Sequence, residues 1–159
     1  MDCIESCKTK KTALLCLSER LARKEIIFKL STKNSENVIN CLNSLERKYG
    51  DLFPKVFKTI TVDNGPEFSN YIDMQRSIFS KQGKRTTIYY CHPYCSSERG
   101  TNERMNREIR RKFPKGTDFS LVSIDEIAKV ETWLNSYPRG VLNYDTPENV
   151  YKKCLQTII

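Results

Sequence analysis

Thr61-Val62-Asp63-Asn64-Gly65-Pro66-Glu67-Phe68 is the stretch on which the reading of this chain turns. Residues 57–62, which lead into it, have the apolar, β-branched character of a buried strand. Asn64-Gly65 then turns the chain, and Pro66 suits the first turn of a short helix. Asp63 therefore stands at a strand end, where α/β sheets collect their ligands. An aspartate before Asn-Gly is also an ordinary turn former. Its meaning depends on what the rest of the chain brings to it.

Upstream, residues 1–5, 12–17 and 25–30 read as three antiparallel strands, with the polar residues 18–23 turning the chain between the last two. Ser35 can cap a helix reaching to about Tyr49. Val38, Ile39, Leu42 and Leu45 recur at helical spacing, and Gly50 stops it. Downstream, the pattern predicts a helix over 71–79 ending near Gly83, a strand over 86–91, and helices over 98–113, 124–137 and 147–155. That order implies one α/β domain over 1–159, with a mixed five-stranded sheet flanked by helices.

Two further carboxylates compete for attention. On a helix at about 100° per residue, Met105, Ile109 and Phe113 form one apolar stripe. Arg99, Glu103, Arg107 and Arg110 lie opposite, with Asn106 at their edge. Glu103 is then either one member of ordinary i,i+4 ion pairs with Arg99 and Arg107 or a carboxylate set among phosphate-binding arginines. Asp2 lies at the start of the chain, where residues often fray. Three converging carboxylates hold one or two Mg²⁺ ions, and such a pair drives phosphoryl transfer on nucleic acids.

Charge supports a polyanionic partner. The net charge is +8, and residues 76–115 carry all of it, with eleven Lys or Arg against Glu98, Glu103 and Glu108. A basic block around a candidate metal carboxylate fits nucleic acid. The composition, 38% hydrophobic and 29% charged over 159 residues, is that of a globular protein. No apolar run approaches the roughly 20 residues needed to span a bilayer. The polar N-terminus does not read as a signal peptide, so the expected location is the cytoplasm. Seven cysteines are present, and neither Cys3-x3-Cys7 nor Cys91-His92-x2-Cys95 matches the paired Cys-x2-Cys knuckles of zinc sites. They read as reduced thiols, with Cys16, Cys41 and Cys91 packing as small apolar residues.

The stretch 62–68 resembles the second acidic motif of retroviral integrases and bacterial insertion-sequence transposases. Pro93-Tyr94 followed by Arg99-Gly100-Thr101-Asn102-Glu103-Arg104-Met105-Asn106 resembles their third motif. Residues 113–119 and Asn143-Tyr144-Asp145-Thr146-Pro147-Glu148 resemble one bacterial transposase branch. The resemblance covers nearly the whole chain. It implies a ribonuclease H-like fold and a catalytic Asp-Asp-Glu triad of Asp2, Asp63 and Glu103 holding Mg²⁺ or Mn²⁺, two ions in all. The implied activity is a metal-dependent polynucleotidyl transferase that cleaves DNA and transfers strands during transposition. The implied partners are element ends and a target duplex, not a membrane, with the protein acting as a homo-oligomer on DNA in the bacterial nucleoid. Arg99, Arg107 and Arg110 would then hold phosphates, and Asn102 and Asn106 would orient DNA.

Three departures accompany the resemblance. Thirty-nine residues separate Asp63 from Glu103, a few more than the family keeps, which places an insertion near residues 76–86. Ser97 stands where the branch has tryptophan. The helix-turn-helix region that such transposases carry has no counterpart ahead of Asp2, so a clipped first strand is expected to leave Asp2 weakly held. Two alternatives remain open at this point: a ribonuclease H-like nuclease, and an inactive remnant that only binds DNA.

Overall fold

A computed structural model describes residues 1–80, 82–92 and 100–158. Its architecture follows from one strand. β2 (Ala13–Ser18) lies between β1 (Asp2–Glu5) and β3 (Glu25–Leu30), antiparallel to both, in the register Asp2↔Cys16↔Ile27. Residues 13–17 of β2 are all buried. Because alternate strand residues face opposite sides, this requires cover on both faces. Ala13, Leu15 and Leu17 enter one apolar cluster with Val38, Leu42 and Phe53, whereas Leu14 and Cys16 enter another with Ile109, Phe113 and Ile127.

The first layer is built on α1 (Ser35–Tyr49), followed by the short α2 (Phe53–Val56). Asn34, not Ser35, caps α1, its side chain accepting from the Asn37 amide. The second layer holds α4 (Gly100–Lys112) and α5 (Ile124–Ser136), the latter opened by a reciprocal Ser123–Glu126 capping box. α6 (Pro147–Ile158) closes the described chain. Among the described residues, no helix is long and apolar enough to cross a membrane.

The remaining strands, β4 (Thr59–Val62) and β5 (Thr87–Tyr90), pair in parallel. Among the described residues there are five strands, but as a three-stranded antiparallel sheet and a two-stranded parallel one, not the single mixed sheet expected. The two meet where the Met1 amine donates to the Thr61 carbonyl at 2.8 Å. At the outer edge, α5 takes the place of a further strand. Glu131 accepts from the Ile27 amide, and the Asn135 amide group bonds both the N–H and the C=O of Glu25. That blocks edge pairing with another chain.

One predicted helix is shorter than its pattern. α3 (Tyr71–Gln75) ends well before Phe79 because the chain folds back. Ser77 bonds the Gly83 carbonyl, and Arg76 bridges antiparallel to Lys84. Arg85 anchors the return. Its guanidinium is buried and donates to the carbonyls of Met74 and Asp73, to Asn43 and to Glu46. Glu46 is also buried, and it accepts from Ser77 and Ile78 as well. Arg85 therefore does not belong to the basic surface that its place in the charge block implied.

Two buried carboxylates yield predictions. Glu46→Ala should strand the Arg85 charge and cost about 3 kcal/mol in urea unfolding, with much of this recovered in a Glu46→Leu, Arg85→Met double variant. Glu25 is fully buried with neither carboxylate oxygen hydrogen-bonded, and burial pushes its carboxyl up to about 7 from 4.5. Between those values the folded state keeps a proton that the unfolded state has released, so this group makes stability fall as pH rises through the window. Glu25→Gln should flatten that slope in urea midpoints taken between pH 4.5 and 7.

Candidate active site

Asp63 follows directly on β4, whose last residue, Val62, is buried and bonded through its carbonyl to the Cys91 amide. The Asp63 carboxylate accepts from the Gly65 amide at 3.0 Å, forming an Asx turn. Pro66–Phe68 then makes a single 3₁₀ turn, with Phe68 buried as its anchor. Gly65 leaves room for two close carboxylates. A Cβ there would lie 2.7 Å from Glu67 Oε2 and 3.0 Å from Asp63 Oδ1. Asp63 and Glu67 thus hold their carboxylates on either side of one backbone position.

Asp2 lies on β1, across the Met1–Thr61 hydrogen bond from the end of β4. It is buried, contrary to the expectation of a weakly held residue. Its Oδ1 accepts from the Cys3 amide at 2.9 Å and its Oδ2 from Asn106 Nδ2 at 2.8 Å. The four-residue ladder to β2 and the buried Met1 side chain hold the strand end in place.

Lys33, which had no role in the sequence reading, joins the two aspartate-bearing segments. Its ammonium lies 2.7 Å from Glu5 on β1 and 3.2 Å from the buried Glu67. Burial lowers the Lys33 pKa, but the hydrogen bonds to Glu5 and Glu67 outweigh this and hold it above the ordinary lysine value. The Cys3 thiol registers the same surroundings. Burial pushes it up first, Glu67 adds to the shift, Lys33 opposes it, and Asp2 and Asp63 raise it further.

α4 approaches from the other side. Met105 and Ile109 are buried against the sheet, with Phe113 just beyond the helix, and Asn106 reaches Asp2. Glu103 lies one turn before Asn106, about 4.5 Å along the axis, and is exposed. Asn102 is half-buried and lines a 250 Å³ cavity together with Met1, Thr61 and Cys91. Arg107 is exposed. Arg110 instead donates to the Glu5 and Pro114 carbonyls and lies over the Phe119 ring. Arg99, Ser97 and Cys95 lie outside the described residues. Cys16 and Cys91 are buried, and Cys41 packs half-buried against the first apolar cluster.

Among the described residues, no three Asp, Glu, His or Cys side chains converge closely enough to hold a metal. Asp2 and Asp63 share the strand junction, while Glu103 stands off on the first turn of α4. The donor set is nevertheless all carboxylate oxygen, which suits Mg²⁺ or Mn²⁺ and not a thiolate-seeking ion.

No family model matches the chain. It is 36% identical over 148 residues to the transposase for insertion sequence element IS4351 of Bacteroides fragilis, covering 93% of this chain and 42% of that protein. It is 31% identical over 145 residues to the transposase InsI for insertion sequence element IS30C of Escherichia coli K12, covering 91% and 36%. The chain is a relative of the insertion-sequence transposases. It spans about two-fifths of the length of these relatives. In three dimensions it resembles the catalytic core domain of BIV integrase, with a TM-score of 0.69 at 18% identity, covering 98% of this chain and 95% of that one. The fold is accordingly that of an integrase catalytic core.

Within this transposase-related site, Glu67 was visible to the sequence reading only as part of the quoted stretch, and Lys33 was not visible at all. Lys33→Met would leave the Glu67 carboxylate buried without its cation. It should lower stability by about 1–3 kcal/mol in thermal or urea unfolding, and adding Glu67→Gln should restore part of the loss.

Proposed function

We propose that this chain is the catalytic core of a DNA transposase, a polynucleotidyl transferase that cleaves DNA and joins the freed 3′ end to a target. The observation that carries this reading is the docking of α4 on Asp2 through Asn106, beside the turn that holds Asp63. It brings the three motif-bearing segments to one strand junction. The Met1–Thr61 hydrogen bond also supports reading the five strands as one mixed sheet, in the order β3-β2-β1-β4-β5.

Asp2, Asp63 and Glu103 would hold Mg²⁺ or Mn²⁺, as a pair of ions. When bound, the ions supply an activated water or 3′-hydroxyl and neutralise charge on the leaving oxygen. The chain's own work is positioning. Asn106 and the Cys3 amide fix the Asp2 carboxylate, and the Gly65 amide fixes that of Asp63. The exposed Glu103 would complete the set of carboxylates that holds the ions. Arg99 and Arg107 hold backbone phosphates, and Asn102 guides the strand from the neighbouring cavity. Such contacts position DNA without reading its sequence. Arg110 and Asn106 are engaged with the protein and serve the site through it. The working form is a homo-oligomer on paired element ends, in the cytoplasm on the bacterial nucleoid.

A labelled duplex carrying a free 3′-hydroxyl end, mixed with a target plasmid and Mg²⁺ or Mn²⁺, tests this. Joined product that disappears in Asp63→Asn and in Glu103→Gln is expected. Cleavage without joining would assign a nuclease, and unchanged product in those variants would sink the assignment. Millimolar Mn²⁺ should independently raise the melting temperature of the parent, and not of Asp63→Asn, because the ion binds the folded state and relieves carboxylate repulsion.

A further inference from the structure

We propose that Arg23, Arg104 and Arg139, together with the first turn of α4, form a phosphate-binding site distinct from the carboxylates, which takes a backbone phosphate of DNA. The choice of DNA as the source of that phosphate rests on the function proposed above. The site itself rests on a 180 Å³ cavity lined by the three arginines, Gly100, Thr101 and Met105.

Arg139 is the decisive residue. It is only 9% exposed, and its backbone is clamped by hydrogen bonds to Leu142, Tyr144 and Asp145. Its guanidinium donates to the Leu134 carbonyl at 3.0 Å, but its Nε has no hydrogen-bond partner. A buried N–H left unsatisfied costs about 1–3 kcal/mol. An anion held in the cavity against the guanidinium would offset part of that cost electrostatically.

The surrounding charges favour the same ligand. Arg23 stands in the left-handed region, at φ 60°, and donates to Thr101 Oγ1 at 2.7 Å, which fastens the β2–β3 turn to the start of α4. Arg104 is exposed and forms no hydrogen bond or ion pair among the described residues. The Arg139 pKa is lowered first by burial and then by Arg104, with Arg23 adding to the effect. The carboxylates that act against this are Glu25 and Glu108. Glu25 makes no hydrogen bond through its carboxylate, and Glu108 is paired with Arg111. Three cations therefore converge at the start of a thirteen-residue helix, whose dipole also favours an anion. Arg104 follows Glu103 by one position, so its side chain leaves the helix about 100° away. One DNA strand can then meet the carboxylates with one phosphate and the arginine cavity with a neighbouring one.

The test measures binding of a fluorescent duplex by anisotropy across a salt series, in EDTA so that the carboxylates hold no metal. The variants are Arg104→Gln, Arg104→Lys and Arg23→Gln, with melting temperatures as a folding control. Arg104→Gln should weaken binding severalfold for any sequence and reduce the slope of log affinity against log salt by about one, and Arg104→Lys should restore most of both. A parallel calorimetric titration with inorganic phosphate separates the sources. Phosphate binding that is lost in Arg104→Gln while duplex affinity and slope stay unchanged would overturn the DNA assignment. No change in either ligand would overturn the site and leave the transposase reading standing. A parent that binds no duplex would count against the transposase reading, and the phosphate titration would then decide the site alone.

Discussion

Everything else in this fold depends on burying β2 on both faces. A strand reading Ala-Leu-Leu-Cys-Leu has no polar side to give to water, so helices must cover it from both directions. One layer comes from α1 and α2, which follow the meander directly. The other has to come from α4 and α5, much later in the chain. That requirement draws α4 across the sheet, seats Met105 and Ile109, and leaves the opposite face of its first turn at the strand ends. Asn106 reaches Asp2 because the core needs that helix there. Like charges repel, and protein contacts must hold them in place.

Those contacts are chosen with economy. Asp2 is held by one backbone and one side-chain amide, both neutral donors, and Asp63 by a backbone amide. Lys33 is engaged by Glu5 and Glu67. A neutral donor fixes a carboxylate's direction while leaving its charge available, whereas a salt bridge would spend that charge.

The local elements were largely legible from the sequence, because each is announced by short-range chemistry. The extended apolar segments of β1 to β3, the helical spacing of α1 and the apolar stripe of α4 all emerge near their expected limits. The shortened α3 was not legible. Its apolar content continues to Phe79, but the buried Arg85–Glu46 pair ends the helix, and that pair joins residues 39 apart. For the same reason the basic block misled: Arg85 and Arg110 lie in the stretch that supplies the whole net charge, yet both are spent on the protein's own acceptors. Asn106 illustrates the limit at the site. Its position on α4 was readable, and its partner, Asp2, was not. Lys33 carries no motif and acquires meaning only from two carboxylates brought to it by the fold.

Among the described residues two arginines are buried, and the contrast between them is informative. Arg85 is saturated, with two carbonyls, an amide oxygen and a carboxylate around its guanidinium. Its acceptors come from the segments it joins, so its function is complete within the fold. Arg139 is buried almost as deeply but has one carbonyl, an unpartnered Nε and two further arginines on the same cavity. Packing alone does not account for the difference. Glu25, and Glu108 of α4, act on Arg139 without a hydrogen bond among the described residues, and α4 also presents Arg104 on the same cavity. A fold that can satisfy one buried guanidinium fully, and that gathers positive charge around the other, has left the second for a ligand.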